Sequence, residues 1–204
     1  MTRVMYLVRH GIAGPAPSGM SDNDRALTPD GERKMRRIAL GLKRLGVAPD
    51  VVLSSPLRRA EETAALVANA LARQLHVEIY PLLAPGYGAA EVLKGLHPHR
   101  SARELVLVGH QPDMGQLASH LLTRSSSLAP LPFKKGAVAA IRVDAIPPRA
   151  PGVLMWFMTP KQLRTVGAGR KRGRAERAGK RQAVGKQPRT PKVPRRRSPT
   201  KEEP

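Results

Sequence analysis

Apolar positions recur along this chain in two alternating patterns. Short continuous runs stand at VMYLV (4–8), VVLSS (51–55), HVEIY (76–80), LVLVG (105–109), VAAIRV (138–143) and VLMWFM (153–158). Runs of this length between polar or Gly/Pro stretches predict buried strands. Helical spacing lies between them. Thr28-Pro29-Asp30-Gly31-Glu32 predicts a helix start, with Thr as N-cap, Pro in the first turn and acidic residues beside it. That helix should run to about Leu45, where Gly46 stops it. A second predicted helix runs from Pro56 to about Gln74, with Ala60, Ala64, Val67 and Leu71 on one face. A third follows Pro112 and carries Met114, Leu117, Ala118, Leu121 and Leu122. Strands alternating with helices predict an α/β domain with helices on both faces of a largely parallel sheet.

Length and composition bound this picture. At 204 residues the chain has room for one ordinary domain with a sizeable core. There is no cysteine, so neither disulfides nor a thiolate zinc site is available; a cytoplasmic protein is compatible with this. No run of about 18 apolar residues occurs, and the start lacks the form of a signal peptide, so a soluble protein without membrane insertion is expected. The short loops and the lack of an obvious apolar patch in the sequence predict a monomer.

The formal charge of +21 is unevenly spread: residues 161–204 carry +13 and residues 1–160 carry +8. After Leu163 large apolar residues almost vanish while Lys, Arg, Gly and Pro accumulate. Such a segment cannot offset the entropy of being ordered. The expected organisation is a domain over 1–163 and a disordered basic tail over 164–204. The tail is expected to bind polyanions weakly, without sequence preference and with strong salt sensitivity. No aromatic residue follows Phe157, so base stacking is not available to it.

In sheets of this kind ligands bind beyond the C-terminal ends of the strands. The first strand runs into Arg9-His10-Gly11, the second into Ser54-Ser55-Pro56-Leu57-Arg58-Arg59, and the fourth into Gly109-His110. Two histidines and at least two arginines are thereby brought to one edge. Arginine offers a planar fork of donors matching phosphate oxygens, and histidine serves as nucleophile or donor. Gly11 permits close approach of backbone to a ligand. The set suits phosphoryl transfer, in which positioning and charge neutralisation dominate. No Walker loop or acidic metal cluster is visible, so the simpler reading needs no metal and no cofactor.

Blander readings stand beside this one. A histidine at a strand end is more often structural than catalytic. Arg58 and Arg59 could form a solvated helix face, and alternation predicts that one of the two points inward. His97-Pro98-His99 lacks a third ligand nearby, while His76 and His120 read as ordinary strand and helix residues.

LVRHG (7–11), SSPLRRAEETA (54–64) and LVGHQPDM (107–114) resemble the histidine phosphatase superfamily, whose fold is phosphoglycerate mutase-like, and within it the short SixA-type phosphohistidine phosphatases. Further similar stretches are RALTPDGERKMRRIA (25–39), LAPG (83–86), FKKGAVA (133–139) and MTPKQLR (158–164), in the same order along the chain. The resemblance implies a three-layer α/β/α sandwich and a hydrolase acting through a covalent phosphohistidine. It makes His10 the phosphoryl acceptor, with Arg9, Arg59 and His110 holding the group and Gly11 and Arg25 as further substrate-binding candidates. It also implies a phosphohistidine-bearing protein, such as a phosphorelay protein, as substrate.

The sequence departs from its relatives in lacking a dedicated general acid. Leu82 and Gln111 stand where many have acidic residues, and no long insertion could house another. A general acid is worth roughly 10²- to 10⁴-fold with a poor leaving group. Its absence disfavours alkyl phosphates and favours phosphohistidine, whose imidazole leaves readily. The alternatives are a broad small-molecule phosphomonoesterase and a polyanion-binding protein working through the tail.

Overall fold

A computed structural model describes residues 2–169, except 17, 20 and 73. Six strands form one sheet: β1 (Arg3–Arg9), β2 (Val51–Ser54), β3 (Val77–Ile79), β4 (Glu104–Gly109), β5 (Val138–Val143) and β6 (Val153–Met158). Their order is β3-β2-β4-β1-β5-β6. The pairings among β1 to β4 are parallel, and β5 and β6 are added antiparallel. Among the described residues, five α-helices complete the layers: α1 (Pro29–Arg44), α2 (Arg58–Leu71), α3 (Ala89–Gly95), α4 (Asp113–Thr123) and α5 (Pro160–Ala168). This is the expected mixed α/β architecture.

The central strands β1, β2 and β4 are apolar on both faces because both are covered. On β1, Met5 and Leu7 join the core beneath α3 and α4, while Val4, Tyr6 and Val8 join the core beneath α1, α2 and α5. On β4 the same alternation sends Leu105 and Leu107 one way and Val106 and Val108 the other.

Several boundaries differ from the sequence pattern. The second helix begins at Arg58 rather than Pro56, with no side-chain cap, and stops at Leu71 rather than Gln74. The seven-residue α3 has no counterpart in the expected elements, since so short a helix shows barely two turns of periodicity.

The domain end expected at 163 falls inside α5, whose last turn runs to Ala168. Thr159 caps α5 reciprocally with Gln162, and Leu163 is fully buried against α1. A Cβ at Gly41 would overlap the Leu163 carbonyl oxygen, and one at Gly167 would overlap that of Arg37. The two glycines thus let the helix backbones touch, which keeps residues 164–168 in the fold. Residues 170–204, where the basic tail is expected, lie outside the described residues.

The surface is less uniformly polar than expected, because Val153, Leu154 and Met155 on edge strand β6 are exposed. Among the described residues, no helix is long and apolar enough to cross a membrane.

Candidate active site

Register alone brings the two candidate histidines together. In the parallel β1–β4 pair Arg9 stands opposite Gly109, so His10 and His110 leave neighbouring strands at the same level. Their ring centroids lie 5.0 Å apart, and both residues are buried. The His10 N–H donates to the Gly109 carbonyl at 3.0 Å, continuing the ladder one residue past the strand.

His10 Nδ1 lies 2.7 Å from the Gly11 carbonyl oxygen. A carbonyl only accepts, so Nδ1 carries the proton and a neutral ring keeps its lone pair on Nε2. Burial pulls His10 down to about 3, against the opposite pull of the Gly11 hydrogen bond; His110, Arg59 and Arg9 add to the effect of burial. His110 is lowered to about 4, again by burial first and by Arg59 next, with Asp22 opposing. Both rings are therefore neutral at physiological pH.

His110 Nε2 pairs with Ser55 Oγ at 2.7 Å, while its Nδ1 is buried without a hydrogen-bond partner among the described residues. Ser55 Oγ accepts from the Leu57 N–H, leaving its own proton free for Nε2. With Ser55 as donor, neutral His110 holds its proton on Nδ1, as a donor available to a ligand.

The arginines are held from several elements. Arg9 donates to the Phe133 carbonyl at 2.7 Å, and its buried Nε has no hydrogen-bond partner among the described residues. Arg59, on the first turn of α2, is only 7 % exposed in its side chain. It donates to the Asp22 carbonyl at 2.7 Å and its carboxylate at 2.9 Å. Arg58 is 54 % exposed and pairs with Glu62 one turn on. Arg25 bonds the Gly14 carbonyl and the other Asp22 oxygen, so Asp22 ties it to Arg59. Those arginines hold the Asp22 carboxyl below its ordinary range, the Arg25 hydrogen bond contributing most.

The loop after β1 is fixed by packing. The Gly11 N–H donates to Thr63 Oγ1 at 3.0 Å, and that hydroxyl donates to the Arg59 carbonyl. A Cβ at Gly31, in the first turn of α1, would overlap the Ile12 carbonyl oxygen, so glycine lets α1 dock on this loop.

The structure thus gathers His10, His110 and Arg59, joins Arg9 to them from the end of β1, and links Arg25 through Asp22. Gln111 faces the Leu131 carbonyl, and Leu82 is half-buried against the core under α3. His97 and His99 sit in a short turn away from the site, where His99 lies 3.6 Å from Glu78. Among the described residues no three His, Cys, Asp or Glu side chains are grouped to hold a metal ion.

Asp22, Ser55 and Thr63 are part of the arrangement and were not singled out in the sequence. Thr63 has a readable signal, standing four residues after Arg59 on the same helix face. Asp22 sits in an irregular loop and has none.

The profile of the histidine phosphatase superfamily (branch 1) matches residues 5–84, from β1 to the turn after β3. An uncharacterized protein of Picosynechococcus sp. is 35% identical over 143 residues, covering 69% of this chain and 86% of that relative. Phosphohistidine phosphatase SixA of Escherichia coli (strain K12) is 28% identical over 166 residues, or 80% of this chain and 98% of the relative. The solved structure of the protein histidine phosphatase SixA complexed with tungstate superimposes with a TM-score of 0.69 at 28% identity, covering 78% of this chain and 99% of that one. With the profile on the β1 loop and α2 and the likeness running through the whole fold, the chain belongs to the histidine phosphatase superfamily.

Proposed function

We propose that this protein is a cytoplasmic, metal-independent phosphatase that hydrolyses protein phosphohistidine through a covalent intermediate on His10. The observation that carries the reading is the state of His10: neutral, buried beside cationic groups, with Nδ1 tied to Gly11 and Nε2 left as the nucleophile. Nε2 attacks phosphorus, and the P–N bond to the substrate imidazole breaks as that ring takes a proton from solvent. Water then attacks the His10 adduct. A P–O bond forms, the Nε2–P bond breaks, and inorganic phosphate leaves with the proton lost by the water.

Arg9, Arg59 and His110 bind the equatorial oxygens throughout, supplying the charge neutralisation that phosphoryl transfer requires. Arg9 Nε and His110 Nδ1, both buried without partners among the described residues, are donors of the kind a phosphoryl oxygen satisfies. Neutral His110, with its proton on Nδ1, donates to such an oxygen without needing to be charged.

The substrate class follows from the leaving group. Asp22, the carboxylate tied to the arginine cluster, is held ionised and so is a poor acid. Imidazole departs without strong protonation, whereas an alkoxide does not. The similarity to SixA supports the same choice.

The test compares phosphate release from a phosphohistidine peptide and from p-nitrophenyl phosphate, with EDTA present, for the wild type and His10→Ala. Preference for the peptide, lost entirely in the variant, is the expected result. Equal turnover of both compounds would replace phosphohistidine with a broad phosphomonoester specificity, and activity persisting in His10→Ala would remove the nucleophile assignment.

A further inference from the structure

Building on the reading of the substrate as a protein phosphohistidine, we propose that a cleft beside the catalytic pocket binds an acidic, partly apolar segment of the substrate protein. The cleft has a volume of about 550 Å³ and lies where α1, α5 and the turn before β5 meet. Arg9 lines it and also belongs to the catalytic set, so the two spaces adjoin.

Its rim is cationic. Lys34 comes from α1, Lys134 and Lys135 from the turn, and Lys161 and Arg164 from α5. Among the described residues, Lys34 alone of these five is in an ion pair, with Asp30. Asp30 also pairs with Arg33 and feels the field of Arg164, so one carboxylate serves several cations. The N-terminus of α5 opens on the cleft through Thr159 and Pro160, and its dipole has the same sign as the rim.

The floor is aliphatic. Ile12 and Pro160 line it above the buried Met35 and Ile38. A cationic rim over an apolar floor fits an extended segment with carboxylates flanking an apolar side chain. A single-stranded nucleic acid fits poorly, since no aromatic ring lines the cleft for a base to stack on. The chain's own residues 170–204 carry a net +11, the same sign as the rim, and so lack the acidic chemistry the cleft fits.

The experiment uses the full chain and its Lys135→Glu/Lys161→Glu variant, both substitutions being at exposed positions outside the catalytic set. Two phosphohistidine peptides of one sequence are compared, with four glutamates or four glutamines flanking an apolar residue near the phosphohistidine. At low salt the wild type should show a KM roughly tenfold lower for the glutamate peptide, and the difference should shrink at 0.5 M salt. The variant should lose this preference while keeping kcat on both peptides and on p-nitrophenyl phosphate. Fluorescence anisotropy with the unphosphorylated glutamate peptide reads the cleft without turnover, and there the variant should bind several-fold more weakly. The segment 170–204 is identical in both proteins, so its charge cancels in the comparison.

Equal KM values in the wild type, or a preference retained in the variant, would overturn the cleft as the docking site. If neither phosphopeptide is hydrolysed, the phosphohistidine reading falls, and the anisotropy comparison still decides the cleft: equal binding by the two proteins overturns it.

Discussion

Folding this chain keeps His10 unprotonated, and that makes stability depend on pH in a way that one substitution can isolate. The folded value of about 3 lies below the value near 6.5 of an unfolded histidine. Between these values the unfolded chain binds more protons, so the contribution of His10 to stability is fully present above 6.5 and declines as pH falls toward 3. From pH 7.5 to 5.5 the unfolded histidine goes from about one-tenth to about nine-tenths protonated while the folded one stays neutral, a loss of about 1.4 kcal/mol. This figure depends little on how far His10 is depressed, provided its folded value stays below about 4.5.

The assay is urea denaturation of wild type and His10→Gln at the two pH values. The wild type should lose about 1.4 kcal/mol more than the variant, all other titrating groups being common to both. Saturating phosphate should shrink this excess to the extent that the bound anion lifts the folded pKa of His10 above about 4.5. An excess indistinguishable from zero would show that His10 titrates as a solvated histidine, which would refute its burial among cations. A wild type losing less than the variant would mean that His10 is charged in the free protein.

The other expectations separate residues by their contacts. Arg59→Ala should lower kcat/KM by roughly 10²- to 10³-fold, as for loss of one preorganised donor, while Arg58→Ala should stay within about threefold. Equal losses would reverse the assignment drawn from their different burial. Asp22→Asn should tighten inhibition by inorganic phosphate roughly two- to tenfold, because the carboxylate competes for the Arg59 fork. Weaker inhibition would instead make Asp22 a support that orients the arginine. Thr63→Val keeps the shape of the side chain but leaves the Gly11 N–H without its acceptor, and should cost about 1–3 kcal/mol in denaturant unfolding. A change of a few tenths would mean that the loop rearranges to satisfy the amide.

What the sequence determined by itself is local in origin. An unbroken apolar run is a local signal, so β5, which is largely buried, and the edge strand β6, which is not, were both legible to the residue. Capping chemistry is equally local, and Thr28 with Pro29 marked the start of α1. Because the parallel strands β1 and β4 run into His10 and His110, the rule that sites form at such ends sufficed to nominate both; past β2 it reached only the Arg58–Arg59 pair, and the resemblance to the histidine phosphatases chose Arg59. Chain order says nothing about neighbours across the sheet, however. That β4 lies between β1 and β2, with Arg9 opposite Gly109, sets the 5.0 Å between the two rings, and pairing alone decides it.

The tertiary structure also decided every contact whose partners are distant in the chain. Asp22 reaches Arg59 across 37 positions and Thr63 reaches Gly11 across 52, and neither pairing leaves a periodic trace. The fold likewise keeps α5 past the point where large side chains run out, because Gly41 and Gly167 allow backbone contact that hydrophobicity does not register. The cationic cleft exists only because α1, α5 and the turn before β5 converge. The depressed histidine pKa values have the same origin. Desolvation is a property of what surrounds a side chain, and in this protein those surroundings come from strands and helices far apart in sequence.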